Sequence, residues 1–206
     1  EKILYMLEMA KEFEAHPNRH ILDGKVVATL FFEPSTRTRL SFETAANRLG
    51  ARVIGFSDPK ATSSSKGETL KDTIKMVSNY ADIIAMRHPK EGAPLRASRY
   101  SRIPVINAGD GGHSHPTQTL LDMMTIRQRK GRLEGIHFVY FGDARYNMGN
   151  SLMVGCAKMG LNFTACAPKK YQPDAALVEQ CRAIAAETGA AISFEEDPAK
   201  AAKGAD

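Results

Sequence analysis

Tryptophan is absent from this chain of 206 residues, and phenylalanine and tyrosine are few enough that aromatics make up only 7% of it. A nucleic-acid surface wants aromatics interleaved with a clustered basic face. The net charge here is only +5, spread along the chain rather than gathered in a tail, which suits a small anionic ligand better than a nucleic acid. Cysteine is scarce too. Cys156, Cys166 and Cys181 fall in the last third without C-x-x-C spacing, so neither a disulfide framework nor a zinc site is expected, and the three read as buried free thiols. No apolar run approaches the about 18 residues that would suggest a membrane span. The opening Glu1-Lys2-Ile3-Leu4 has neither a starting methionine nor a signal-peptide pattern, and it reads as the interior of a longer, cytoplasmic polypeptide.

What is present describes a folded chain. With 43% hydrophobic and 25% charged residues the composition argues against disorder, and 206 residues are enough for one large domain or two small ones without covalent staples. Short apolar runs alternate with longer amphipathic stretches, the pattern of repeated β-α units and a parallel sheet. The runs predict strands over 26–32, 53–56, 83–86, 105–107, 138–141, 163–167 and 191–194. Apolar residues at three-to-four spacing predict helices over 3–14, 37–49, 68–80, 116–129, 149–159 and 175–188. Polar, glycine-rich breaks follow the strands at 33–36, 61–67, 108–115 and 142–149. Ligands of open α/β sheets bind beyond the carboxyl ends of the strands, so these loops are where chemistry is expected. The polar link Lys130-Gly131-Arg132-Leu133-Glu134-Gly135 is the best candidate for a domain boundary. The expectation is an α/β protein of two parallel-sheet domains, residues 1–134 and 135–206, the second Rossmann-like and incomplete.

The sharpest segment is Phe31-Phe32-Glu33-Pro34-Ser35-Thr36-Arg37-Thr38-Arg39-Leu40-Ser41-Phe42-Glu43. An apolar strand ends, a proline blocks its extension, and hydroxyl residues open a helix whose first turn offers N–H groups. Those groups, the positive end of the helix dipole, the hydroxyls of Ser35, Thr36 and Thr38, and the Arg37 fork together suit a phosphate. An ordinary capped helix with a solvated basic first turn is the competing reading. Two arginines there oppose the dipole unless an anion is nearby, which favours the phosphate.

Ser35-Thr36-Arg37-Thr38-Arg39 also resembles the carbamoyl phosphate motif of the aspartate and ornithine carbamoyltransferases. Further segments share the resemblance in order. Ser63-Ser64-Ser65-Lys66-Gly67-Glu68-Thr69 is similar to the loop of the aspartate branch that reaches into a neighbouring subunit, Met86-Arg87-His88-Pro89 to the strand end that clamps carbamoyl phosphate, and His115-Pro116-Thr117-Gln118 to the His-Pro-x-Gln motif. The resemblance implies transfer of the carbamoyl group of carbamoyl phosphate to an amino acid, with release of phosphate. An amine attacks the carbamoyl carbon, a tetrahedral oxyanion forms, and phosphate departs. By the same resemblance Thr38, Arg87 and His115 form the oxyanion hole, Ser35, Thr36, Arg37 and Lys66 neutralise the leaving phosphate, Ser63 reaches with Lys66 into the neighbouring subunit's substrate site, and Gln118 holds the carbamoyl amide. No metal or organic cofactor is implied, and a homotrimer with sites shared between subunits is.

The resemblance changes character along the chain. Residues 1 to 134 look like the aspartate branch. From Ile136 onward, Phe141-Gly142-Asp143-Ala144-Arg145-Tyr146-Asn147-Met148-Gly149-Asn150-Ser151-Leu152 and the run 174–182 look like the ornithine branch. Asn147 stands where the aspartate branch has an arginine for the acceptor's carboxylate, and Glu33 thereby loses the partner that arginine provides. Aspartate is the nominal acceptor because the longer, site-bearing part is of its type, and ornithine is the alternative. A recombined or engineered chain that binds carbamoyl phosphate with little turnover is a third expectation, since the later loops that close over the acceptor in both branches are not found before Asp206.

Overall fold

Val26–Phe31 (β1) is a nearly continuous apolar run in which every residue after Val26 is buried, as befits a parallel strand covered on both faces. In the computed structural model, which describes residues 1–58, 60 and 62–206 with the Ser64 side chain excepted, this strand is the centre of a four-stranded sheet. Ala61, the start of one expected break, lies outside the described residues. β1 pairs with Arg52–Phe56 (β2) on one side and Ile83–His88 (β3) on the other, and Val105–Asp110 (β4) adds beyond β3, all in parallel. The edge strand β2 is correspondingly more exposed.

Period-two alternation divides the first unit, Glu1–Gly111, into two faces. Ala28 and Leu30 of β1 join Ile84 and Met86 of β3 under Leu70–Val77 (α3) and Ala93–Tyr100 (α4), which contribute Ile74, Val77, Ala93 and Ala97. Val27 meets Ala46 of Thr36–Arg48 (α2) on the opposite face. Each large aliphatic side chain fully buried this way contributes roughly 1.5–3 kcal/mol. Lys2–Ala15 (α1) precedes the sheet and buries only Leu7.

The second unit, Gly112–Asp206, begins with Pro116–Lys130 (α5). Its sheet is His137–Phe141 (β5), Asn162–Cys166 (β6) and Ile192–Glu195 (β7), parallel and in chain order. Asn147–Met159 (α6), Ala175–Thr188 (α7) and Pro198–Ala202 (α8) complete it. The most buried helix of this unit is α6, with Leu152, Met153, Cys156 and Ala157 inside. A side chain at Gly155 would come within 2.5 Å of Thr119 Cγ2, so glycine lets α5 and α6 approach closely. All three cysteines are buried and unbridged. Among the described residues no helix is long and apolar enough to cross a membrane.

All seven expected strands and six expected helices are present. Among the described residues two α-helices went unforeseen. In α4 only the small residues Ala93, Pro94 and Ala97 are buried, so it has no stripe of large apolar side chains to betray it. With five residues α8 is too short to show a period, and it is started by Asp197, whose carboxylate accepts from the Ala199 and Lys200 N–H groups. Strands β3 and β4 also run on past their expected ends, to His88 and Asp110.

Candidate functional site

The turn that follows β1 is built to leave donors unused. Ser35, extended at φ −157° and ψ 104°, is the N-cap of α2, yet its hydroxyl accepts nothing from the helix. Thr69, Asp174 and Asp197 hold the same position on α3, α7 and α8, and each accepts from the first turn. A serine cap is ordinarily worth about 1 kcal/mol, and α2 forgoes it. Its first-turn N–H groups are thus left for an anion, at the positive end of the helix dipole. The hydroxyls of Ser35, Thr36 and Thr38 and the guanidinium of the exposed Arg37 have no partner among the described residues. Arg39 is different. It lies 3.9 Å from Glu43, one turn on, so one of the two arginines taken as a sign of an anion has a carboxylate of its own. Glu43 also accepts from the buried Thr29 hydroxyl at 3.2 Å, tying α2 to β1.

Arg87 is the last residue but one of the neighbouring strand, where the register of β3 against β4 shifts between Met86 and His88. Such irregularities re-aim a side chain. Its Nε donates to Glu33 Oε1 at 2.5 Å, the two side chains being only 17% and 24% exposed. Glu33, expected to stand without a partner, has found one in the arginine that was expected to clamp the ligand. Gly109 of β4 makes room: a Cβ there would lie 3.0 Å from Cγ and 3.1 Å from Cδ of Arg87. His88 packs on Phe32 with ring centres 4.9 Å apart. Burial holds its imidazole below the usual range, and its Nδ1 accepts the Lys90 N–H at 2.9 Å.

Ser63 and Lys66 open and close a short 3-10 turn, Ser63–Lys66, and both are exposed. The turn leads into a firmly capped α3, where Thr69 Oγ1 accepts from the Asp72 N–H and donates to its carboxylate. No hydrogen bond or ion pair joins Ser63 or Lys66 to the α2 turn or to Arg87 among the described residues. The first unit therefore gathers Ser35, Thr36, Arg37 and Thr38 in a single helical turn and sets Arg87 at the end of the adjoining strand. An open groove of about 970 Å³ in the same unit, lined by Phe32, Thr69, Lys71, His88, Arg96 and Tyr100 among others, includes none of the expected site residues.

In the second unit His115 is the N-cap of α5 and Pro116 follows it. Two residues of α6 hold the turn that carries it. Ser151 Oγ accepts from the His115 N–H at 2.8 Å, and Asn150 Nδ2 lies 3.2–3.4 Å from the carbonyls of Arg145, Gly112 and His113. Gln118, in the first turn of α5, donates from Nε2 to Asp122 Oδ1 at 3.0 Å. Burial pushes the Asp122 carboxyl above the usual carboxylate range, opposed by that hydrogen bond and by His115. Asn147 opens α6. Two residues on, a side chain at Gly149 would come within 2.6 Å of the Ala144 backbone, which explains the glycine. Among the described residues no three His, Cys, Asp or Glu gather as metal ligands would. Sequence reasoning missed Gly109, Asp122, Asn150 and Ser151 as site residues. The four-residue spacing of Gln118 and Asp122 was the available signal for one pair, since such residues are neighbours on a helix.

Parallel β-α units that end a strand in an uncapped, arginine-bearing helix turn define a class: α/β proteins equipped to hold a phosphate-like anion. The chain belongs to the aspartate/ornithine carbamoyltransferase family, residues 1–128 matching its carbamoyl-P binding domain and residues 134–206 its Asp/Orn binding domain. The aspartate carbamoyltransferase catalytic subunit of Bacteroides fragilis is 62% identical over 173 residues, 84% of this chain and 56% of that protein. The chain thus spans little more than half the length of that relative. Among solved structures, the catalytic subunit of M. jannaschii aspartate transcarbamoylase matches with a TM-score of 0.85 and 42% identity over 97% of this chain and 66% of that one. Ornithine carbamoyltransferase from Pyrococcus furiosus matches with a TM-score of 0.90 and 36% identity, over 99% of this chain and 64% of its own.

Proposed function

We propose that this chain binds carbamoyl phosphate and transfers its carbamoyl group to the amino group of aspartate, releasing phosphate. The observation that carries the reading is the first turn of α2, where three hydroxyls, the Arg37 guanidinium and the uncapped N–H groups lie together without partners. On this reading Ser35, Thr36, Arg37 and Thr38 cradle the phosphate, with Ser63 and Lys66 serving the site of a neighbouring subunit in a homotrimer. Arg87, Thr38 and His115 stabilise the oxyanion that forms when the amine attacks the carbamoyl carbon, and Gln118 holds the carbamoyl amide. Phosphate leaves with the electron pair of the broken C–O bond. Residues 1–134 form the carbamoyl phosphate domain and 135–206 contribute to the amino-acid domain. Three free thiols suit a cytoplasmic setting.

Ornithine is the second reading, favoured by the neutral Asn147 at the start of α6. An asparagine hydrogen-bonds a carboxylate but brings no charge, so aspartate, with two carboxylates, suffers more than ornithine from the lack of an arginine there. That position also supports the view of a recombined chain with little turnover. Product formation from carbamoyl phosphate, with aspartate and ornithine offered separately, decides between acceptors. The phosphate site is tested by calorimetry. Arg37→Ala removes a charge-assisted pair and is expected to weaken phosphate binding by roughly 1.5–3 kcal/mol, and equal affinity in the variant refutes the assignment.

A further inference from the structure

We propose that Asp122 is a positioning residue that selects the carbamoyl group by fixing which end of the Gln118 amide meets the ligand. The inference deepens the functional reading above and rests on its assignment of Gln118. A glutamine side chain ends in an oxygen that accepts and a nitrogen that donates, and a rotation about the last bond exchanges them. The NH2 of carbamoyl phosphate is a donor, so only the oxygen end of the glutamine recognises that NH2, and the nitrogen end repels it. Gln118 alone has no means of choosing.

Asp122 supplies the choice. An ionised carboxylate only accepts, so the 3.0 Å bond from Gln118 to Asp122 engages the nitrogen and leaves Oε1 as the end that accepts from a ligand. Oε1 has no hydrogen-bonding partner among the described residues. The two residues sit one turn apart on α5, whose start is fixed by Pro116 and by the Ser151 bond to the His115 N–H, so the pair is held on a rigid element. The carboxylate is also kept at a cost. Burial raises Asp122 from the ordinary carboxylate value of 3.8. A raised carboxyl is stabilising below that value and loses its contribution as pH rises through its folded value, so at neutral pH the charged group opposes folding.

The test compares carbamoyl phosphate with acetyl phosphate, in which a methyl replaces the NH2, by calorimetry on the whole chain. The wild-type chain should prefer carbamoyl phosphate. Asp122→Leu should lower carbamoyl phosphate affinity about fivefold to tenfold, the usual worth of one hydrogen bond, leave acetyl phosphate affinity unchanged, and unfold no earlier than wild type at neutral pH. Asp122→Asn, which keeps an oxygen of the same reach, should recover part of the preference, and it serves if the leucine variant does not fold. An undiminished preference in Asp122→Leu, or equal loss of both ligands in a folded variant, overturns the role of Asp122 while leaving the phosphate site standing. Failure of the wild-type chain to bind carbamoyl phosphate at all overturns the functional reading and this inference with it.

Discussion

A residue that could cap a helix and does not is a sharper sign of a ligand than one that carries charge. Ser35 and Thr69 hold equivalent positions, but Thr69 accepts from its helix at 3.2 Å and Ser35 accepts nothing. Thr69→Ala removes a working cap and should cost about 1 kcal/mol of stability. Ser35→Ala should leave the unfolding midpoint within about 0.5 kcal/mol of wild type while weakening phosphate binding by about 1 kcal/mol. Denaturant titration and calorimetry on the two variants check both halves of that contrast, and a destabilised Ser35→Ala would mean that the hydroxyl caps the helix after all. Charge alone is a poorer guide, as Arg39 shows: it opposes the dipole as Arg37 does, yet its carboxylate partner is Glu43.

At the scale of elements, the register of β3 against β4 shifts at Arg87 and the glycine in β4 leaves the arginine's stem a place to lie. Gly109→Ala should press on that stem and displace the guanidinium. The expected result is weaker phosphate binding with the Glu33 contact disturbed, read by calorimetry and by a crystal structure of the variant, and an unmoved Arg87 would refute it. None of this could be read from the sequence, where Gly109 is one glycine in a glycine-rich loop. What the sequence does make legible is periodicity. The runs of β1 and α6 announce themselves because each buries large side chains, Leu30 and Phe31 in the strand and Leu152 and Met153 in the helix. Helix α4 is silent because it buries alanines and a proline. The motif residues Ser35–Thr38, Arg87, His115 and Gln118 were legible as types in order, but their engagements were not. Glu33, the partner of Arg87, follows β1 while Arg87 lies on β3, so only folding brings the two near, whereas Asp122, the partner of Gln118, sits at a helical spacing that could have been read.

For the whole molecule the trimer proposal makes a strong demand, because Lys66 would serve a site other than that of its own chain. Lys66→Ala and Arg37→Ala, each inactive alone, should regain activity when mixed and reassociated, since some sites are then assembled from undamaged halves; no recovery in verified mixed oligomers counts against sharing. The cysteines give a second, independent handle on the fold. Cys156, Cys166 and Cys181 are all buried, all free, and all in the unit Gly112–Asp206, and burial pushes the Cys156 and Cys181 thiols up. A thiol that is neither accessible nor ionised does not react with an alkylating reagent until its surroundings open. Pulse alkylation followed by mass spectrometry should therefore clock the opening of the second unit with no introduced probe, and stay blind to fraying of α1 or β2. Labelling within the dead time under native conditions would show that the core around α6 and α7 is looser than its packing implies.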